Sequence, residues 1–152
     1  MLFRSMPDAM ALAIQTPVGV ILHTGDFKFD QSPVDGKTTD FARLNHYGEQ
    51  GVRVLLSDST NSERTGFTPS ESSLRLPLEE IFLRARKKIV ASCFASSLHR
   101  IQLFLDLARE FDRKVALVGR SMSNAVQIGT SLGYLRAEEG LIVSPADRKS
   151  VV

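Results

Sequence analysis

The chain has 152 residues, 43% of them hydrophobic and 24% charged, with a formal net charge of +2. That composition supports one ordinary core or two small ones and excludes a disordered chain. A charge so near neutrality does not by itself argue for a nucleic-acid partner, the single cysteine, Cys93, excludes an internal disulfide framework, and no apolar run approaches the roughly 20 residues of a membrane span. The first residues lack the apolar stretch and cleavage site of a signal peptide, so a cytoplasmic protein is expected. Cys93 lies in an apolar run and reads as a buried, inert thiol.

Residues 10–15 alternate and read as a strand. Thr16-Pro17-Val18-Gly19 reads as a turn, and residues 20–24 return as a second strand, giving an antiparallel hairpin. Gly25 breaks that strand and Asp26 follows at its tip. Residues 30–39 are loop by composition. Asp40 predicts the N-cap of a short helix to about Tyr47, with Gly48 as the stop. Residues 52–56 form an apolar strand broken only by Arg53. It ends in Ser57-Asp58-Ser59-Thr60-Asn61, again a buried strand with an acid at its tip. The polar stretch 62–67 is the expected domain boundary.

Thr68-Pro69-Ser70-Glu71 has the form of a capping box with proline at the first helical position. It predicts a helix to about Lys87 with Leu74, Leu78, Ile81, Phe82 and Ala85 on one face, kinked or restarted at Pro77. Residues 88–94 read as a strand. Ser96 or Ser97 then caps a helix to about Phe111, with Leu98, Ile101, Phe104, Leu105 and Ala108 inward. Residues 115–118 read as a strand, and Gly119-Arg120-Ser121 turns into a helix over 122–132 ended by Gly133. This alternation predicts an α/β fold with parallel strands and right-handed connections. Residues 147–152, polar then apolar without periodicity, are set apart as a non-native tail.

Two kinds of group here can carry chemistry. Asp26 and Asp58 each follow a strand, and carboxylates at neighbouring strand tips can bind a divalent cation or orient a histidine. Each also has a plainer reading as a turn aspartate. His23 reads as a hydrogen-bonded structural histidine and His46 as solvent-facing. The second kind is Ser96, Ser97, His99 and Arg100 at one helix start, and Arg120 and Ser121 at another. Backbone N–H groups, the helix dipole and a guanidinium suit a phosphate. The plainer reading makes these serines N-caps and the arginines surface.

Six short motifs occur in order: Ser-Met-Pro-Asp-Ala at 5–9, His-Thr-Gly-Asp-Phe-Lys-Phe-Asp at 23–30, Leu-Leu-Ser-Asp-Ser-Thr-Asn at 55–61, Phe-Thr-Pro-Ser-Glu at 67–71, Phe-Ala-Ser-Ser-Leu-His-Arg-Ile-Gln at 94–102 and Gly-Arg-Ser-Met at 119–122. In this register the sequence resembles the ribonuclease J family, of the β-CASP branch of the metallo-β-lactamase superfamily. The resemblance implies a partial metallo-β-lactamase αββα sandwich over 1–67, followed by part of a Rossmann-like β-CASP domain over 68–146. It implies a cytoplasmic, homo-oligomeric, two-zinc RNA hydrolase with endonuclease and 5′-to-3′ exonuclease activity. Asp26 would be the carboxylate bridging two zinc ions, and Asp58 an acid orienting a histidine near the scissile phosphate. Ser96, Ser97, His99 and Arg100 would face RNA. The family's H-x-H-x-D-H cluster would precede residue 1, its later histidines would follow residue 146, and Arg4 stands where a metal-binding histidine is expected. A fragment with Asp26 as its single zinc ligand is expected to be inactive. The alternative is a non-catalytic α/β module with anion- or RNA-binding loops. Exposed strand edges and apolar surface are expected in the isolated chain.

Overall fold

Thr16 closes the first hairpin. In the computed structural model, which describes residues 10–146, the Thr16 hydroxyl donates to the Gly19 carbonyl at 2.6 Å and accepts the Val18 N–H at 3.3 Å. Strands β1 (Leu12–Thr16) and β2 (Gly19–His23) run antiparallel from that turn, with Leu12 opposite His23. Strand β3 (Val52–Leu56) pairs with the other side of β2 in parallel, so the sheet order is β1-β2-β3. The pairing steps from Val20 opposite Val52 to Ile21 opposite Val54. Arg53, the polar break in the apolar run, is therefore the extra residue of a bulge. Alternation along β2 buries Val20 and Leu22, together with Ala11 and Thr24. Leu12, Ile14, Val54, Leu55 and Leu56 remain 42–59% exposed, so this sheet presents the apolar surface that was expected.

Helix α1 (Phe41–Gln50) lies between β2 and β3 in the chain. Parallel neighbours need such a crossover. The Asp40 carboxylate caps it, accepting the Arg43 N–H at 3.0 Å. The expected stop at Gly48 is corrected: the helix runs through to Gln50, and Gly51 ends it with its N–H on the Tyr47 and Gly48 carbonyls. One glycine costs a helix interior only about 1 kcal/mol, and the bonds of the following turn offset that.

The chain divides between Ser72 and Ser73 into two compact units. The long helix expected over 68–87 is corrected at both ends. A 3₁₀ turn, Glu71–Leu74, comes first, and helix α2 covers Arg75–Arg84. Thr68 is not the cap; the Ser70 hydroxyl accepts the Ser72 N–H at 3.3 Å, while Glu71 pairs with Lys28 at 3.3 Å. Pro77 falls in the first turn of α2, where its missing N–H removes no helical bond. The restart therefore comes just before it. At the other end, the Arg113 guanidinium donates to the Lys87 carbonyl at 2.9 Å and to the Ala85 carbonyl. Those bonds hold the chain where it leaves the helix.

The strand expected over 88–94 does not form; these residues carry no regular structure, and Val90 and Phe94 are 94% and 80% exposed. An apolar run becomes a strand only where a neighbour completes its ladder. Helix α3 (Leu98–Glu110) follows. Strand β4 is only Val115–Ala116, shorter than the expected 115–118, and pairs in parallel with β5 (Ile142–Val143). Strand β5 has no counterpart in the sequence reading, because two residues are too few for a periodic signal. Helix α4 (Arg120–Ser131) joins the two strands, so β4-α4-β5 is a parallel β-α-β unit as the alternation predicts. Gly133, at φ 76°, closes α4 with its N–H on the Thr130 carbonyl.

The core of this second unit contains Phe82, Ile101, Leu105, Leu107, Ala108, Val126, Leu135 and Leu141. Three of the expected inward residues of α3 are in it. Leu107, not expected, is fully buried, whereas Phe104 is half-buried and Ile81 of α2 is exposed. The described residues thus make an α/β fold with a mixed three-stranded sheet, a parallel pair and four helices. Within the span 1–67, the described residues form one three-stranded sheet and α1. Among the described residues no helix is long and apolar enough to cross a membrane. Arg4, the Ser-Met-Pro-Asp-Ala motif and the 147–152 tail lie outside the described residues.

Candidate functional site

Strands β2 and β3 are parallel, so their carboxyl ends share one edge of the sheet, the edge where open parallel sheets gather ligands. Asp26 leaves β2 there and Asp58 leaves β3. Thr24 joins the two exits. Its N–H donates to the Leu56 carbonyl at 2.9 Å, its hydroxyl donates to the Gly25 carbonyl at 2.7 Å, and the same oxygen accepts the Asp58 N–H at 3.0 Å. Gly25, at φ 60°, makes the sharp exit possible. A Cβ at Gly25 would stand 2.7 Å from the Met10 carbonyl oxygen, so a larger residue is excluded twice, by backbone angle and by space. The Gly25 N–H donates to His23 Nδ1 at 3.0 Å. His23 is therefore the structural histidine expected, fixing the turn before Asp26. His46, as expected, is exposed.

The two acids differ in environment. Asp26 is exposed at the tip of the turn. The Asp58 carboxylate accepts the Thr60 hydroxyl at 2.6 Å and the Thr60 N–H at 3.0 Å, and also the Phe27 N–H. The Thr60 bonds, with the Phe27 bond, hold its carboxyl below the usual range against the opposing effect of burial. Asp58 is thus ionised and bonded to the residue next to Asp26.

A second set of contacts escaped the sequence reading, which treated Asp30 as the start of a loop and gave Lys28 no role. The Asp30 carboxylate accepts the Ser32 N–H at 3.0 Å, the Ser70 hydroxyl at 2.9 Å and the Glu71 N–H at 3.3 Å. Lys28 Nζ donates to the Pro69 carbonyl at 2.7 Å and lies 3.3 Å from Glu71 and 4.0 Å from Asp30. Burial alone would raise the Asp30 pKa. The Ser70 hydroxyl, the Ser32 and Glu71 amides and Lys28 outweigh it and hold the carboxyl below its usual value. The available signal was the charge alternation Lys28-Phe29-Asp30 beside Ser70-Glu71, two motifs that local spacing rules do not connect.

Among the described residues, no three His, Cys, Asp or Glu side chains converge so as to hold a metal ion. Asp26 alone does not make a zinc site. The residues described here therefore do not fit a two-zinc centre by themselves.

The predicted phosphate loops lie in the second unit. Ser97 is the N-cap residue of α3, but its hydroxyl makes no capping bond; the Arg100 and Ile101 N–H groups reach its carbonyl instead, at 3.0 and 3.1 Å. Ser96 is exposed, and Ser97, His99 and Arg100 are half-buried. Gly119, rather than Ser121, is the N-cap of α4, with Arg120 and Ser121 exposed in its first turn. Leu98 packs at the far end of α4, its Cδ2 3.4 Å from where a Gly129 Cβ would lie. At 1.5 Å per residue, Arg120 is about 13 Å further along that helix. The two loops are thus separate elements of the surface. Cys93 is half-buried against the core; burial pushes its thiol up, with Arg100 partly opposing, so it stays protonated and is no nucleophile at neutral pH.

Comparison with known proteins agrees with the motif reading. Residues 86–151 match the family model described as ribonuclease J, beta-CASP domain, a span that runs into the tail set apart above. The chain is 47% identical over 140 residues to ribonuclease J of Synechocystis sp., covering 92% of this chain and 22% of that protein. It is 47% identical over 132 residues to ribonuclease J of Helicobacter pylori strain J99 (87% and 19%) and 43% identical over 143 residues to that of Thermus thermophilus (92% and 25%). The chain therefore spans about a fifth to a quarter of the length of these relatives. A crystal structure of a protein of unknown function from Enterococcus faecalis superposes with a TM-score of 0.54 at 14% identity, covering 93% of this chain and 36% of that one, a likeness of fold.

Proposed function

The resemblance to ribonuclease J holds over most of the chain, and on it we propose that these residues are a segment of a ribonuclease that hydrolyses RNA phosphodiester bonds, both internally and from the 5′ end. Asp26 is the carboxylate this segment contributes to a two-zinc centre whose other ligands come from sequence outside it. Asp26 would hold that metal in part, and zinc there would supply an activated hydroxide. Asp58 is the second acid of the site; it holds the Asp26 turn and stays ionised. Ser96, Ser97, His99, Arg100, Arg120 and Ser121 contact the RNA backbone. The parent acts in the cytoplasm as a homo-oligomer. The observation that supports this reading is the shared edge of β2 and β3, from which both acids leave, tied by Thr24.

In a full-length protein carrying this segment, Asp26→Ala abolishes RNA cleavage and leaves the fold intact by circular dichroism. Retained cleavage overturns the ligand assignment. The 152-residue chain by itself is a binding module without turnover, since one carboxylate, Asp26, cannot hold two zinc ions. Zinc- or manganese-dependent cleavage by the isolated chain, lost in Asp26→Ala, would refute that.

A further inference from the structure

Thr24 is a polar side chain with only 6% of its surface exposed, at the end of the central strand of its sheet. A threonine so placed needs partners, and it has them on both sides. Its hydroxyl hydrogen goes to the carbonyl of Gly25, the residue immediately before Asp26, at 2.7 Å. Its oxygen takes the main-chain N–H of Asp58 at 3.0 Å, across 34 residues of chain. Its own N–H continues the parallel ladder to Leu56 at 2.9 Å. One hydroxyl thus bonds to both strand exits, the one on which Asp26 stands and the one on which Asp58 stands, beside the bond of the Phe27 N–H to the Asp58 carboxylate.

Strand pairing alone would not do this. The ladder between β2 and β3 ends at His23 opposite Leu56. Beyond it, Gly25 has a left-handed backbone and Ser57-Asp58 carries no regular structure, so neither exit is held by strand pairing. The Thr24 hydroxyl extends the connection past the last ladder pair.

We propose that Thr24 is a positioning residue: its hydroxyl sets the distance between the Asp26 turn and the Asp58 loop. The inference rests on the functional reading above, in which both acids serve one site. Small misplacement of groups that act together lowers the rate of reaction more than the strength of binding. The valine substitution keeps the volume and the strand preference but removes both hydroxyl bonds. Serine keeps the hydroxyl and loses one methyl.

The test has two arms. In the 152-residue chain, hydrogen exchange followed by NMR shows the Asp58 amide protected, exposed to exchange in Thr24→Val and protected again in Thr24→Ser. In a full-length protein carrying this segment, Thr24→Val lowers kcat for RNA cleavage by about tenfold or more with KM within about twofold, and Thr24→Ser restores most of it. If valine does not fold, Thr24→Ala gives the same comparison. An unchanged kcat in Thr24→Val, or a serine variant no better than valine, overturns the proposal. Asp26→Ala separates the two claims: cleavage that survives it overturns the functional reading, while the Asp58 amide still decides whether Thr24 joins the two loops.

Discussion

The Ser70 hydroxyl donates to the Asp30 carboxylate at 2.9 Å, between residues 40 positions apart. That bond fastens the loop following Asp26 to the segment just before α2. With Lys28 reaching the Pro69 carbonyl and Glu71, it makes a small polar network in which each member has a partner. Removing one member of such a network costs the bonds it makes with its half-buried partners. Asp30→Asn, which keeps the shape but turns a donor group toward donors, lowers the stability of residues 10–72 by about 1–3 kcal/mol. Urea unfolding followed by circular dichroism measures it, and a change within error would show that the network is incidental.

The same carboxyl gives a pH dependence. Asp30 and Asp58 both have folded pKa values below the ordinary carboxylate value of 3.8. The unfolded chain thus takes up protons at higher pH than the folded one. The stabilisation is fully present above the ordinary value and is lost as pH falls through the lower folded values. Thermal midpoints should be nearly level from pH 7 to pH 5 and drop below about pH 4. The drop should be shallower in Asp30→Asn. An equal drop in both proteins would place the acid sensitivity elsewhere.

Two helical glycines should respond to alanine with opposite signs. Gly48 lies inside α1, and a Cβ placed there would meet nothing within 4 Å, whereas a Cβ at Gly129 in α4 would lie 2.9 Å from Leu135 Cδ1 and 3.1 Å from its Cγ. Gly48→Ala should stabilise by about 0.5–1 kcal/mol through helix propensity alone. Gly129→Ala should destabilise by about 1–3 kcal/mol, because Leu135 is 2% exposed and has little room to move. Denaturant midpoints of the two variants decide the matter; the same sign for both would contradict the packing described for Leu135.

Arg113 ends α2 by its guanidinium, on the Ala85 and Lys87 carbonyls, and stands 6.0 Å over the Phe82 ring. Arg113→Ala should cost about 1–3 kcal/mol, since two carbonyls lose a charged donor. Arg113→Lys should recover little, because one ammonium does not reproduce a planar fork over an aromatic face. Full recovery by lysine would mean that charge at the helix end, rather than geometry, is what matters.

For RNA, Arg100→Ala and Arg120→Ala should each weaken binding by the 152-residue chain in a salt-dependent way, reducing the salt slope by about one for each phosphate the variant no longer neutralises. The two loops are about 13 Å apart along α4, so the effects should add in the double variant. Fluorescence anisotropy with single-stranded RNA at several salt concentrations measures this. Unchanged affinity in both would favour the plainer reading of these residues as helix starts and surface.

The signals legible in the sequence were local ones. Thr16-Pro17-Val18-Gly19 set the first hairpin, Asp40 capped α1, Gly133 closed α4, and the alternation of apolar runs with helical periods announced parallel strands. Each depends on residues within a few positions of one another, so the chemistry of the side chains decides it. The six motifs also carried the resemblance to ribonuclease J without any structure. What tertiary structure alone decided was pairing across distance. Residues 88–94 had the composition of a strand but found no neighbour among the described residues, while Ile142–Val143, too short to notice, found β4. Asp30 had the look of loop, and Lys28 had no assigned role, until Ser70 and Glu71 came beside them. Thr24 was only the last residue of an apolar run until the parallel pairing of β2 with β3 brought Asp58 onto its hydroxyl. A hydrogen bond between residues 34 apart has no periodicity to announce it; it exists because a strand register fixes which two ends meet.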